Sequence, residues 1–413
     1  LAETSGRNGH VVIAPDKFKG SLSATQVARR VAAGLGPEVR SVCLPVADGG
    51  DGTVDAVVAF GYSRIEAEVT GPTGERITAA YAWHPGDGEA PPTAVVELAE
   101  ASGLRRLPPA EAGPGQAAVP GAHEGVRLAP LTATSRGTGD LIAAAVRRGA
   151  RRVVLGLGGS ACTDGGTGMM AALGVRFLDA EGAELPPGGG ALTSLAAIDT
   201  AGLLPELAGV EFVVASDVDN PLLGPHGAAA VYGPQKGATS EDVRVLEAGL
   251  ARLAAVAAHT HGLVGAAEHD GIVRSMGVAA EPGAGAAGGV GFAALAFLRA
   301  QVRPGIEYLL ELLGFAEHLE GARLVITGEG ALDEQTLRGK APAGVAARAV
   351  KAGVPVVAVC GRRTLGDEEL RAAGIVAAYA LTDIEPDTAR CIAEAGPLLE
   401  RLVAERVRGA HAV

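Results

Sequence analysis

Aromatic residues make up only 3% of this 413-residue chain, with a single Trp, which leaves little material for the stacking platforms that grip nucleic-acid bases. The net charge of −12 would also repel a phosphate backbone, so no nucleic-acid partner is expected. Cysteine is sparse. Cys43, Cys162, Cys360 and Cys391 stand far apart with neither CxxC nor zinc-finger spacing, which argues against a disulfide framework or structural zinc and for a reducing compartment. No apolar run reaches the roughly 18 residues that span a bilayer, and the first residues lack the charged-then-apolar order of a signal peptide. The expectation is a cytoplasmic protein with no membrane partner, its polar Leu1–Gly9 segment a disordered leader, and with oligomerisation left open.

Several catalytic signatures are missing as well. The only Gly-Lys pair, Gly339-Lys340, is followed by Ala and lacks the earlier glycine of a Walker A loop. Neither an HRD nor a DFG sequence of the protein kinases occurs. No HExxH is present, and His259 and His261, two apart on an expected helix, do not share a face.

What the chain has in excess is glycine: 61 residues, in short clusters without a collagen-like period. A single hydrophobic core stops growing near about 250–300 residues, so two domains are expected. Short apolar runs at 11–14, 41–46, 324–327, 354–359 and 375–381 read as buried parallel strands, alternating with helical patterns at Ala24–Leu35 and Ala341–Lys351. Between them, 64–82 alternates as an antiparallel hairpin would, around a turn at Gly71-Pro72-Thr73-Gly74. A strand and helix follow at 94–101, then an irregular Gly/Pro-rich stretch to Gly125, further strands at 153–157, 175–178 and 211–215, and an Ala-rich helix from Ser240 to about His261. The predicted fold class is α/β in two domains: a doubly wound parallel sheet from residues 1–64 and 291–413, with a second α/β domain, 65–290, inserted into it.

In such sheets ligands bind beyond the carboxyl ends of strands, where helix N-termini offer free N–H groups. Five loops in this chain have suitable chemistry. Asp16-Lys17-Phe18-Lys19-Gly20-Ser21 follows the first strand and combines two lysines with hydroxyls, an anion site unless it is merely a capped helix start. The lysines draw notice because the chain has only five among 35 basic residues, and Lys17, Lys19, Lys236 and Lys340 all sit in Gly/Asp/Pro clusters. In Asp48-Gly49-Gly50-Asp51 two carboxylates three apart can converge on Mg²⁺ or a substrate hydroxyl, one acting as general base; the plainer reading makes Asp51 a helix cap.

The run from Gly156 to Gly168 holds Gly158, Gly159, Ser160, Thr163, Asp164, Gly165 and Gly166. Gly156-x-Gly158-x-x-Ala161 fits a dinucleotide fingerprint, and Asp179 falls near the ribose-binding spacing, so an NAD-dependent oxidoreductase of a small hydroxy acid is the rival reading. Three glycines in the would-be helix, with Asp164 beside the would-be pyrophosphate, favour a nucleotide-phosphate or substrate loop instead. A second glycine run carries Gly283, Gly285 and Gly288; it approaches a ligand or serves as an interdomain hinge. Asp217 and Asp219 lie in Ser216–Pro221, and Asp333 and Lys340 in Thr327–Pro342; carboxylates there suit Mg²⁺ and lysine suits a transferring phosphate.

Taken together, APDKFKGSLSA at 14–24, PVADGGDGT at 45–53, GLGGSACTDGGTGM at 156–169, SDVDNPLLG at 216–224, PGAGAAGG at 282–289 and TGEGALDEQTLRGKAP at 327–342 resemble the bacterial glycerate kinase family. The resemblance implies ATP- and Mg²⁺-dependent phosphorylation of D-glycerate at its 2-hydroxyl to 2-phosphoglycerate, by a protein pairing a flavodoxin-like domain with a second α/β domain. On this reading Asp48, Asp51, Lys17 and Lys340 are catalytic. Asp16, Lys19, Ser21, Gly49 and Gly50 bind substrate. Gly158, Gly159, Ser160, Thr163, Asp164, Gly165, Gly166, Gly285 and Gly288 bind nucleotide, and Asp217 and Asp219, with Asp333 as alternative, hold the metal.

Overall fold

The computed structural model describes residues 9–110, 125–261, 266–269, 272–275 and 277–410, without the side chains of 260, 261, 266–269, 272–275 and 338. The expected leader, apart from Gly9, and most of the expected irregular stretch before Gly125 lie outside the described residues. Among the described residues the strands are β1 (His10–Pro15), β2 (Ser41–Cys43), β3 (Ser63–Thr70), β4 (Arg76–His84), β5 (Thr93–Glu97), β6 (Arg152–Gly156), β7 (Arg176–Leu178) and β8 (Ala197–Asp199). They continue with β9 (Glu211–Ala215), β10 (Ala266–His269), β11 (Ile272–Ser275), β12 (Gln301–Arg303), β13 (Ala322–Leu332), β14 (Val356–Arg363) and β15 (Ala377–Ala380). No helix among the described residues is long and apolar enough to cross a membrane.

The chain divides into two compact units. The first comprises Leu1–Asp48, Asp55–Tyr62 and Pro304–Val413, and the second Gly49–Val54 and Ser63–Arg303. Each has its own sheet.

In the first unit the strands run in the order β15-β14-β13-β1-β2, every pair parallel. Alternate residues of β1 enter different cores. Val11 and Ile13 pack in one cluster with Val27, Val31 and Leu35 of the helix Ala24–Leu35, whereas Val12 and Ala14 pack in another with Val345, Ala346 and Ala349 of the helix Ala341–Lys351. A strand buried on both faces must be apolar at every position, which is why this one reads as a continuous run. The helix Ala24–Leu35 starts where a capping box of Ser23 and Gln26 satisfies its first N–H groups, and it stops at Gly36, whose φ of 89° suits glycine. The expected strand at 41–46 is shorter, ending at Cys43, although Leu44 and Val46 still donate to the carbonyls of Ile13 and Pro15.

The second unit holds a mixed sheet in the order β12-β9-β6-β5-β4-β3. Here β3, β4 and β5 pair antiparallel, and β5, β6, β9 and β12 pair parallel. The hairpin of β3 and β4 turns at the predicted Gly71–Gly74. Strand β7 falls within the expected 175–178, and it pairs with β8 in a separate two-stranded sheet and does not border β6.

Candidate active site

In the first unit, β1 and β13 are neighbours, and the backbone N–H of Asp16 donates to the carbonyl of Gly328 at 2.8 Å. This register sets Asp16 beside Glu329 at the carboxyl end of the sheet, and the segment after β2 brings Asp48 alongside. Asp16 is 8% exposed, and Lys17 Nζ lies 3.5 Å from its carboxylate. Burial pushes Asp16 up to about 6; Lys17 opposes the rise and Asp48 adds to it. Glu329, 7% exposed, is pushed up to about 7, again mainly by burial, with the Thr336 hydrogen bond and Lys340 opposing and Asp16 and Asp333 adding. The hydroxyl of Thr336 donates to Glu329 at 2.5 Å and accepts the N–H of Asp333 at 3.1 Å. That pair of bonds shapes the loop leading to Lys340, which stands at the N-cap position of the helix Ala341–Lys351. Lys19 is exposed, and the Ser21 hydroxyl donates to the Phe18 carbonyl at 3.1 Å. The helix behind this loop is capped by its own Ser23. The cluster therefore gathers Asp16, Lys17, Asp48, Glu329, Asp333 and Lys340 around one strand edge, with Asp16 and Glu329 desolvated enough to exchange protons near neutrality.

In the second unit, Gly49–Val54 lies across the carboxyl ends of β5, β6 and β9. A Cβ on Gly49 would fall 2.2 Å from the Ala215 carbonyl oxygen, and one on Gly158 would fall 2.4 Å from the Cα of Gly50, so bare backbone is required. Glu97, ending β5 at 1% exposure, accepts the N–H groups of Gly52 and Val54, each at 3.1 Å. Arg105 binds Glu97 at 3.0 Å, Glu100 at 2.6 Å and Asp51 at 2.6 Å. Burial pushes Glu97 up to about 7 against the pull of Arg105 and the Val54 N–H, with Asp51 and Glu100 adding to the rise. Asp51 is thus a pinned member of an ion-pair network.

Glu97, Glu100, Arg105 and Glu329 were not singled out by the sequence reading. Glu97 had a usable signal, since it is a charged residue directly after the apolar run Ala94–Val96.

The glycine run after β6 divides in two. Gly158 and Gly159 are accessible and Ser160 is 7% exposed, whereas Thr163, Asp164, Gly165 and Gly166 are buried. The Asp164 carboxylate accepts from the Ser135 N–H at 2.8 Å, the Ser135 hydroxyl at 2.9 Å, and the N–H groups of Gly166 and Gly168 at 3.0 and 3.2 Å. These bonds build it into the fold. Gly285 and Gly288 are buried too, the latter against the Cys162 carbonyl. The dinucleotide reading loses its frame here. The helix after β6 starts only at Thr167, and Asp179 caps a turn by accepting the N–H groups of Glu181 and Ala183, on a strand that does not border β6. Asp217 and Asp219 follow β9 and are exposed. Among the described residues no group of three or more His, Cys, Asp or Glu side chains is assembled to hold a metal.

Strand ends that carry carboxylates and glycine-bare loops are where α/β enzymes place their ligand sites. The profile of the glycerate kinase family matches residues 11–410, and the chain belongs to that family. It is 43% identical over 377 residues to a glycerate kinase of Bacillus subtilis, covering 90% of each chain. It is 44% identical over 359 residues to a glycerate 2-kinase of Escherichia coli, covering 86% of this chain and 85% of the relative. A crystal structure of a candidate glycerate kinase 2 from Salmonella typhimurium LT2 superposes with a TM-score of 0.77 at 38% identity, covering 98% of this chain and 97% of the other.

Proposed function

We propose that this chain transfers the γ-phosphoryl group of ATP to D-glycerate at its 2-hydroxyl, giving 2-phosphoglycerate. The observation that carries the reading is family membership over residues 11–410, with curated relatives named for this activity, one of them a glycerate 2-kinase. Phosphoryl transfer asks a protein mainly for positioning and charge stabilisation. Lys17 and Lys340 supply positive charge toward the transferring group. Asp48 and Asp51 orient or deprotonate the 2-hydroxyl. Asp16, Lys19, Ser21, Gly49 and Gly50 hold glycerate, and Gly158, Gly159 and Ser160 offer backbone and hydroxyl donors to the nucleotide. Thr163, Asp164, Gly165, Gly166 and Gly288 support that loop from behind, and Gly285 packs against Asn220 and Pro221.

Bound Mg²⁺ would neutralise charge on the phosphates. The exposed pair Asp217 and Asp219, or Asp333, fits such an ion, because Mg²⁺ takes one or two carboxylates with substrate phosphates and waters in place of an all-protein cage. The first unit's parallel order, numbered within that unit as 2-1-3-4-5, supports a flavodoxin-like doubly wound assignment. The compact segment Ser63–Arg303 supports reading 65–290 as an inserted domain. A cytoplasmic location is supported by the absence, among the described residues, of a helix long and apolar enough to cross a membrane.

The test is ADP release from Mg–ATP on addition of D-glycerate, with the product read by phosphorus NMR. Glycerate-dependent ADP and a phosphoryl group on the 2-oxygen are expected. Release that ignores glycerate, or a product phosphorylated on the 3-oxygen, would overturn it. ATP, and not NAD, should raise the thermal midpoint.

A further inference from the structure

Lys236, one of the lysines noted in glycine-rich surroundings, has no part in the roles above, yet it is 1% exposed. A buried ammonium is costly unless it is hydrogen-bonded and has a counter-charge. Lys236 ends the single turn Pro234–Lys236, which Gly237 closes at a φ of 90°. Its Nζ donates to the carbonyl oxygen of Cys162 at 2.5 Å. Burial lowers its pKa to about 8, opposed by Cys162 and by the buried Asp164 carboxylate.

The Cys162 carbonyl is a crowded point. A Cβ on Gly288 would fall 2.3 Å from it. Gly288 is the middle of three consecutive left-handed residues, Ala287, Gly288 and Gly289, with φ of 53°, 68° and 92°. For Ala287, which carries a Cβ, that conformation is sterically unfavourable, so the surroundings must enforce it. They do so through the loop after β6: the N–H of Gly165 donates to the Gly288 carbonyl at 3.0 Å, and Gly289 packs on the Cα of Gly165. Toward the other end of that loop the Ala161 N–H donates to Ser102 and the Gly159 carbonyl accepts from Leu104, each at 2.9 Å. Cys162 therefore joins the segment that holds the accessible Gly158 and Gly159 to a left-handed turn.

We infer that Lys236 is a positioning residue for the nucleotide: by gripping the Cys162 carbonyl it locks the loop after β6 against the turn Ala287–Gly289 and so aims Gly158 and Gly159. The inference rests on the reading that this loop binds ATP. Lys236→Met keeps the aliphatic stem and removes the donor, and Lys236→Gln restores a neutral donor. Lys236→Met should raise the KM for Mg–ATP, and the Kd for ADP, by about tenfold while the KM for glycerate moves less than about twofold; Lys236→Gln should recover most of the loss. Parallel shifts in both KM values with a lowered Tm, unchanged nucleotide affinity, or failure of both variants to fold would each overturn it. Gly159→Val tests the underlying reading separately. If that variant folds and binds ADP as the parent does, the loop does not hold nucleotide, whatever Lys236 variants show.

Discussion

The two units use buried acids differently. In the first, Asp16 and Glu329 are pushed up to about 6 and about 7, and the cations beside them, Lys17 and Lys340, are lysines on the loops after β1 and β13. In the second, Glu97 is pushed up just as far, but one guanidinium, Arg105, spans Glu97, Glu100 and Asp51, and backbone N–H groups fill the remaining Glu97 oxygen. One guanidinium shared by three acids ties a network together, whereas the Lys17 ammonium lies 3.5 Å from the buried Asp16 carboxylate, in the loop proposed to bind substrate. Equal pKa displacement thus does not imply equal role.

The strongest way to break the comparison is to delete that guanidinium. Arg105→Ala should destabilise the second unit by about 3 kcal/mol, because it leaves Glu97 buried without its cation, while Glu100 keeps Arg64 and Arg106. A urea midpoint in line with the parent would contradict this.

Deleting the first unit's cation should act on chemistry instead. Lys17→Ala is expected to lower kcat/KM by an amount equivalent to about 2 kcal/mol, the loss of one charge-assisted contact, with little change in stability. Steady-state kinetics with glycerate and ATP, each varied in turn, measure it.

The smallest effect sharpens the same contrast through pH. Asp16 has a folded pKa of about 6 against an ordinary 3.8, so the folded state binds more protons between those values. Its contribution to stability is fully present below pH 3.8 and is lost as pH rises through 6. Asp16→Asn should therefore raise stability at pH 8 by about 1 kcal/mol while lowering activity, and the gain should shrink on acidification. Thermal unfolding at pH 5 and pH 8 checks the sign.

How much of this the sequence disclosed depended on whether the signal was local. The helix Ala24–Leu35 was legible to the residue because its cap, Ser23 with Gln26, and its stop, Gly36, are adjacent in sequence. The hairpin turn at Gly71–Gly74 was legible for the same reason. Strand β7 was recognisable as a strand but not by its partner, since alternation says nothing about which neighbour a strand finds. Asp164 reads from sequence as a ligand in a glycine loop, and only the packing reveals that Ser135 and two glycine N–H groups occupy it. Arg105 carries no motif of its own in Leu104-Arg105-Arg106-Leu107. Its three acids come from β5, the helix after it and a distant loop, a convergence no short window contains.

The most direct test of the division between scaffold and chemistry is one paired measurement: urea unfolding of Arg105→Ala and Lys17→Ala, each with kcat/KM determined below the unfolding transition. The account predicts a lowered midpoint for Arg105→Ala, and for Lys17→Ala a parental midpoint with kcat/KM reduced about thirtyfold. A Lys17→Ala protein that unfolds early but turns over normally, beside an Arg105→Ala protein of parental stability, would contradict it.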